Sequence, residues 1–72
     1  MQRVVVVGLE RSVAEIIRTM RREPHAGLEV VAACIDRPRG EDVEGVPVMG
    51  DSDHVLDVLT KVDADTVAVT AW

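Results

Sequence analysis

Arg3-Val4-Val5-Val6-Val7-Gly8-Leu9-Glu10-Arg11-Ser12-Val13-Ala14-Glu15-Ile16-Ile17-Arg18-Thr19-Met20-Arg21-Arg22 is the stretch that decides the fold. Its valines form a β-branched run that stops at Gly8, the pattern of a central parallel strand covered on both faces. From Ser12 the period changes. Val13, Ile16, Ile17 and Met20 recur at helical spacing, while Glu15, Arg18, Arg21 and Arg22 fall elsewhere on the wheel. Ser12 and Glu15 have the spacing of a capping box, and the arginines of the last turn suit the negative end of the helix dipole. Pro24 forbids continuation, and His25 belongs to the turn that ends the helix. A strand, a glycine turn and an amphipathic helix to Arg22 therefore open the chain.

The same alternation continues downstream. Leu28 to Ile35 reads as a second buried strand closing on Asp36. Pro38, Gly40, Glu41, Asp42 and Glu44 make a solvated loop. Gly45-Val46-Pro47-Val48 reads as a very short strand, placed at the sheet edge because Pro47 has no ladder donor. Asp51 or Ser52 can cap a second helix carrying Val55, Val58, Leu59 and Val62 on one face, with Asp53 in its first turn. Thr66 to Thr70 is the last strand, with Trp72 beyond it as a core or interface plug. Strands alternating with helices predict an α/β fold with a parallel sheet and right-handed crossovers. The expected architecture is a partial Rossmann-like, three-layer domain over residues 1–72, with strand order 3-2-1-4 and two helices. Its last strand is left as an open edge where a full doubly wound sheet would continue, so the domain reads as a fragment of a larger protein.

Composition narrows the function. A chain of 72 residues makes one thin domain, whose single core seldom supplies more than about 3–5 kcal/mol. A hydrophobic content of 47% excludes intrinsic disorder, and no apolar run approaches a membrane helix or a signal peptide. A net charge of −5 and a single aromatic residue argue against nucleic-acid binding. The expected setting is the cytoplasm. One cysteine makes no internal disulfide, and Cys34 with two distant histidines has no zinc spacing. Cys34 reads as a small core residue, since no base lies near it in sequence.

Taken together, Val4-Val5-Val6-Val7-Gly8, the amphipathic helix, Pro24 to Gly27, Val30-Val31 and Ile35-Asp36 resemble the Rossmann-like, CoA-binding-like domain of bacterial polyprenyl glycosylphosphotransferases. Gly45-Val46-Pro47-Val48-Met49-Gly50-Asp51 is similar to that family's turn into the second helix, and Asp65-Thr66-Val67-Ala68-Val69 to its following strand. These membrane sugar transferases start exopolysaccharide synthesis. The resemblance implies a domain between a membrane bundle and a catalytic module, tethered at the inner face of the membrane. In the family, the catalytic module transfers sugar-1-phosphate from a nucleotide sugar to a polyprenyl phosphate. None of its machinery lies in this chain, so no catalytic residue is assigned, and the rest of the transferase is an expected partner.

The candidate ligand residues are Gly8, Leu9, Glu10, Arg11 and Ser12 in the first strand–helix turn, with Asp36 and Arg37 at the end of the second strand. A dinucleotide fingerprint has glycine at the positions of Glu10 and Val13, and only Gly8 is present. Glu10 puts a carboxylate where a phosphate would sit, partly offset by Arg11 and the helix N-terminus. Asp36 stands where a Rossmann carboxylate meets ribose hydroxyls, and Arg37 suits a phosphorylated ribose. The bland alternative is a tight glycine turn and a solvated strand end at Pro38. Asp51, Ser52, Asp53 and His54 resemble metal ligands in type, but helix capping accounts for the first three. No metal site is expected. The expectation is a non-catalytic accessory domain with weak binding of a nucleotide (NAD(P), CoA or a UDP-sugar) across the ends of the first and last strands, with Thr70 to Trp72 as its far wall. The alternatives are an interaction scaffold without ligand and the cofactor half of a nucleotide-sugar reductase or dehydratase. Because Thr66 to Thr70 is an unguarded apolar edge, a dimer or higher oligomer through that strand is expected.

Overall fold

The computed structural model describes residues 2–23 and 27–70, so the readings of Pro24, His25 and Trp72 lie outside the described residues. Its elements are β1 (Gln2–Val7), α1 (Glu10–Arg21), β2 (Leu28–Cys34), β3 (Asp42–Val43), β4 (Val46–Gly50), α2 (Val55–Val62) and β5 (Thr66–Val69). The mixed α/β class and both helices are as expected, but the sheet is not. It has five strands in the order β3-β4-β2-β1-β5. β1 pairs in parallel with β2 and β5, and β2 with β4, whereas β3 runs antiparallel to β4. The sheet is therefore mixed, and its order differs from a four-strand parallel arrangement by an outer strand.

That outer strand comes from the segment expected to be a solvated loop. Glu44 and Gly45, at φ 51° and 81°, both take left-handed backbone between Val43 and Val46. Two consecutive positive φ values make the two-residue turn that matches strand twist in a hairpin. The turn is held from a distance. Arg18 and Arg21 of α1 pair with the Glu44 carboxylate at 3.4 and 3.9 Å, and Arg21 Nη2 also donates to the Glu44 carbonyl. β4 is consequently not the sheet edge. Its pairing with β2 starts at Val48, one residue past Pro47, where no proline donor is needed.

Alternation along β1 builds both halves of the core. Val4 and Val6 face α1, joining Val13, Ile17, Ala33, Ile35, Val43 and Val46. Val5 and Val7 face α2, joining Ala32, Cys34 and Val58. All four valines are at most 1% exposed, and burying each contributes roughly 1.5–3 kcal/mol relative to leaving it in water. A bulge in β2 skips Val31, which puts Val30 against the α1 side and Ala32 against the α2 side.

Both helix starts differ from expectation. α1 begins at Glu10, with Leu9 at the N-cap and no side-chain cap, so Ser12 lies within the first turn and the Ser12–Glu15 capping box does not form. Gly8 explains the early start: its φ of 155° turns the chain sharply out of β1. α2 begins at Val55 with His54 at the N-cap and Asp57, not Asp53, in the first turn. Asp51 and Ser52 do not cap it. Instead Asp51 Oδ1 accepts the Asp53 N–H at 3.0 Å, a local turn that precedes the helix. Among the described residues, no helix is long and apolar enough to cross a membrane.

Candidate functional site

The C-terminal ends of β1 and β2 bring Gly8, Leu9, Glu10, Ile35, Asp36 and Arg37 around one cleft of about 350 Å³. Residues from two separate turns thus meet as the sequence suggested. Arg11 and Ser12 do not line this cleft: Arg11 faces the β3 side with Arg39 and Asp42, and Ser12 lies with Glu15 and Thr70. Gly8 is buried and donates its N–H to the Cys34 carbonyl at 3.3 Å, extending the β1–β2 ladder into the turn. The first helical bond of α1 runs from the Val13 N–H to the Leu9 carbonyl at 2.9 Å. The amides of Glu10, Arg11 and Ser12 precede it and have no partner within the helix.

The two carboxylates lining this cleft, Glu10 and Asp36, are already engaged by backbone. Glu10 Oε1 accepts the Arg39 N–H at 2.8 Å, drawing the side chain toward the β2–β3 loop. Asp36 Oδ1 accepts the Ser52 N–H at 2.8 Å, tying the end of β2 to the segment between β4 and α2. Each therefore organises a loop, and each retains a second oxygen. Asp36 is exposed, so that oxygen is open to solvent or to a hydroxyl donor.

A larger concavity of about 570 Å³ adjoins the first, sharing Ile35 and Asp36 and continuing over Pro38, Val48, Met49, His54, Asp57 and Lys61. Sequence reasoning missed it. This space lies on the β4 and α2 side of the Gly8 turn; the expected far wall at Ala71 and Trp72 lies outside the described residues. A bulge that skips Met49 in the pairing of β4 with β2 accompanies it, and Met49 is 40% exposed at the rim. Gly50 permits the close approach of α2, since a Cβ there would stand 3.0 Å from Val58 Cγ2.

At the mouth of this concavity His54 Nδ1 lies 2.5 Å from Asp51 Oδ1. The hydrogen bond to His54 holds the Asp51 carboxyl below its ordinary range. The same bond, reinforced by the Asp51 charge, raises the His54 imidazole above its ordinary value. Cys34 lies beneath: burial first, and the Asp51 charge second, push its thiol up, so it is a poor nucleophile. No three His, Cys, Asp or Glu side chains among the described residues are grouped as a metal site. The arrangement offers backbone amides, an arginine and a carboxylate beside a recess of mixed apolar and charged lining.

Comparison with family models, curated proteins and solved structures finds no match to this chain.

Proposed function

We propose that this domain binds a nucleotide weakly and serves as a non-catalytic accessory domain of a polyprenyl glycosylphosphotransferase. In this reading the parent enzyme passes sugar-1-phosphate from a nucleotide sugar to a polyprenyl phosphate, and the domain sits on the cytoplasmic side of its membrane anchor. The observation that carries the binding claim is the single cleft that unites the Gly8–Glu10 turn with Asp36 and Arg37. The Glu10 amide, which has no partner within α1, and the Arg37 guanidinium are donors for phosphate oxygens in this cleft. Asp36 takes the ribose, and the adjoining recess over Val48 and Met49 takes the base. NAD(P), CoA and a UDP-sugar all present this chemistry. The transferase context rests on the sequence resemblance alone.

A second reading, a scaffold without ligand, is favoured by one specific observation: Glu10 and Asp36 both spend an oxygen on holding loops. Calorimetric titration of UDP-sugar, NAD and CoA separates the two. Binding should be saturable, with a Kd on the order of 0.1–1 mM, equivalent to roughly 4–5.5 kcal/mol. Glu10→Gln keeps an acceptor for the Arg39 amide while removing a negative charge beside the phosphates, so it should tighten binding. Asp36→Ala should loosen it. Absence of a saturable response to all three ligands, in the parent sequence and in Glu10→Gln, leaves the scaffold reading.

A further inference from the structure

The loop between β2 and β3 is anchored at both ends. At its start the Ile35 N–H donates to the Gly50 carbonyl at 2.9 Å, and Asp36 Oδ1 accepts the Ser52 N–H at 2.8 Å. At its end the Glu41 carbonyl accepts the Val48 N–H at 2.9 Å. Between these anchors residues 37–40 make, among the described residues, one hydrogen bond: the Arg39 N–H donates to Glu10 Oε1 at 2.8 Å. Glu10 stands at a partition. Among the described residues it alone lines both the cleft of about 350 Å³, with Asp36 and Arg37, and a groove of about 310 Å³, with Arg11 and Arg39. Its carboxylate takes a backbone amide although three exposed arginines lie on those two linings. No acid among the described residues is within ion-pair distance of Arg11, Arg37 or Arg39. The other acids of the groove are Asp42 and Glu44, and Glu44 is already paired with Arg18 and Arg21.

We propose that the Arg39 backbone N–H donates a hydrogen bond to the ligand's phosphate, and that the Glu10 carboxylate holds this donor until the nucleotide displaces it. The proposal rests on the nucleotide reading above, to which it adds a donor and a latch. Carboxylate and phosphate oxygens are alternative charged acceptors for one amide N–H, so a carboxylate held on a loop amide marks a place for an oxyanion. Glu10 fills that place from the wall of the cleft itself. The Glu10 amide belongs to α1 and Arg37 to the loop, so a phosphate held between them meets the Arg39 N–H once the Glu10 side chain swings aside. The groove receives that side chain, because the Arg11 and Arg39 guanidinia there have no acid partner. The exchange keeps the Arg39 N–H satisfied before and after, and takes the carboxylate away from the incoming phosphate. It also sets the ligand class. A nucleoside has no phosphate to claim the amide and leaves the latch closed, whereas a nucleoside diphosphate opens it.

Calorimetric titration of UDP-glucose, NAD, CoA and inorganic pyrophosphate into the unsubstituted chain, Glu10→Gln and Glu10→Ala tests the exchange. Glutamine keeps an acceptor for the Arg39 N–H and loses only the charge, whereas alanine loses both. A ligand must break the latch before it binds. Glu10→Ala should therefore bind about two- to tenfold more tightly than Glu10→Gln, the factor that one net hydrogen bond represents. Without ligand, the Arg39 amide should exchange with solvent faster in Glu10→Ala than in Glu10→Gln. In the unsubstituted chain the same amide should shift as ligand binds, a measurement that needs no variant to fold. Equal or weaker binding by Glu10→Ala, or an Arg39 amide unmoved by a ligand that binds, overturns the proposal and leaves the nucleotide reading in place. Pyrophosphate binding in the expected order, with no response to any nucleotide, upholds the Arg39 donor and overturns the nucleotide reading. No saturable binding of any of the four overturns both.

Discussion

Replacing Asp63 by glycine should stabilise the domain. α2 ends in a tight six-residue closure: the Ala64 N–H donates to the Leu59 carbonyl at 2.9 Å and the Asp63 N–H to the Thr60 carbonyl at 3.3 Å. This pairing requires left-handed backbone at the residue after the helix, a position dominated by glycine. Here it is Asp63, at φ 54° and ψ 49°. The apolar contact that accompanies such closures is present, since Leu59 and Ala64 both pack on the α2-side core. Arg3 reaches back from β1 to donate to the Val62 carbonyl at 2.7 Å and the Asp63 carbonyl at 3.1 Å, so the end of the helix is otherwise well satisfied. Left-handed backbone costs an L-residue roughly 1–2 kcal/mol, with Asp near the low end. A carboxylate at the helix C-terminus adds about 0.3 kcal/mol against the dipole. Glycine loses about 0.5 kcal/mol through the greater freedom of the unfolded chain. The balance is a gain of about 0.5–1 kcal/mol, a rise in Tm of about 2–8 °C for a domain of this size. Thermal melts followed by far-ultraviolet circular dichroism measure it. Asp63→Ala removes the charge but keeps the Cβ, and should gain nothing. An unchanged or lower Tm for Asp63→Gly, or an equal gain for Asp63→Ala, refutes the backbone argument.

Two other outcomes follow from local geometry. Gly8→Ala should lose about 1–3 kcal/mol in the same melts with no ligand present, because φ is 155° there; an unchanged Tm would remove the backbone role of this glycine. The His54 imidazole should titrate above about 6.5 by NMR and return toward it in Asp51→Asn. A raised imidazole value stabilises below its unfolded value and loses that contribution as pH rises through the folded one. The lowered Asp51 value stabilises above about 3.9 and loses its contribution as pH falls through the folded one. The Tm advantage over His54→Gln should therefore be present between about pH 4 and 6.5 and vanish on the alkaline side; a difference that persists undiminished into alkaline pH, or none within that window, contradicts the pairing.

The strands and helices that carry the core were legible because burial imposes period. Val4 to Val7 show a strand covered on both faces, and Val13, Ile16, Ile17 and Met20 show a helix packed on one. The hairpin was not, because Asp42–Val43 is too short to have a period. Its turn uses Glu44 where asparagine or aspartate would have signalled it, and Arg18 and Arg21 hold it from 26 and 23 residues away. Gly45 was the one local sign. The helix starts were misplaced for a different reason. Ser12 and Asp51 are good capping residues by type, but the φ of Gly8 starts α1 three residues earlier, and Asp51 is spent on the turn before α2. At the candidate site, the chemistry of Gly8, Asp36 and Arg37 was legible from their places at strand ends. The tethers from Glu10 to Arg39 and from Asp36 to Ser52 were not, since they join loops 29 and 16 residues apart. Nor was the recess over Met49, which depends on a bulge with no sequence signature.

Amide NMR with UDP-sugar, NAD and CoA titrated in turn shows whether the cleft between the Gly8 turn and Asp36 receives a nucleotide. At least one ligand should move the amides of Leu9 to Ser12, Arg37, Met49 and His54 along a common saturable curve, while those of β5 stay still. Saturable shifts confined to β5 and α1 away from its first turn, or none with any ligand, would contradict binding in this cleft.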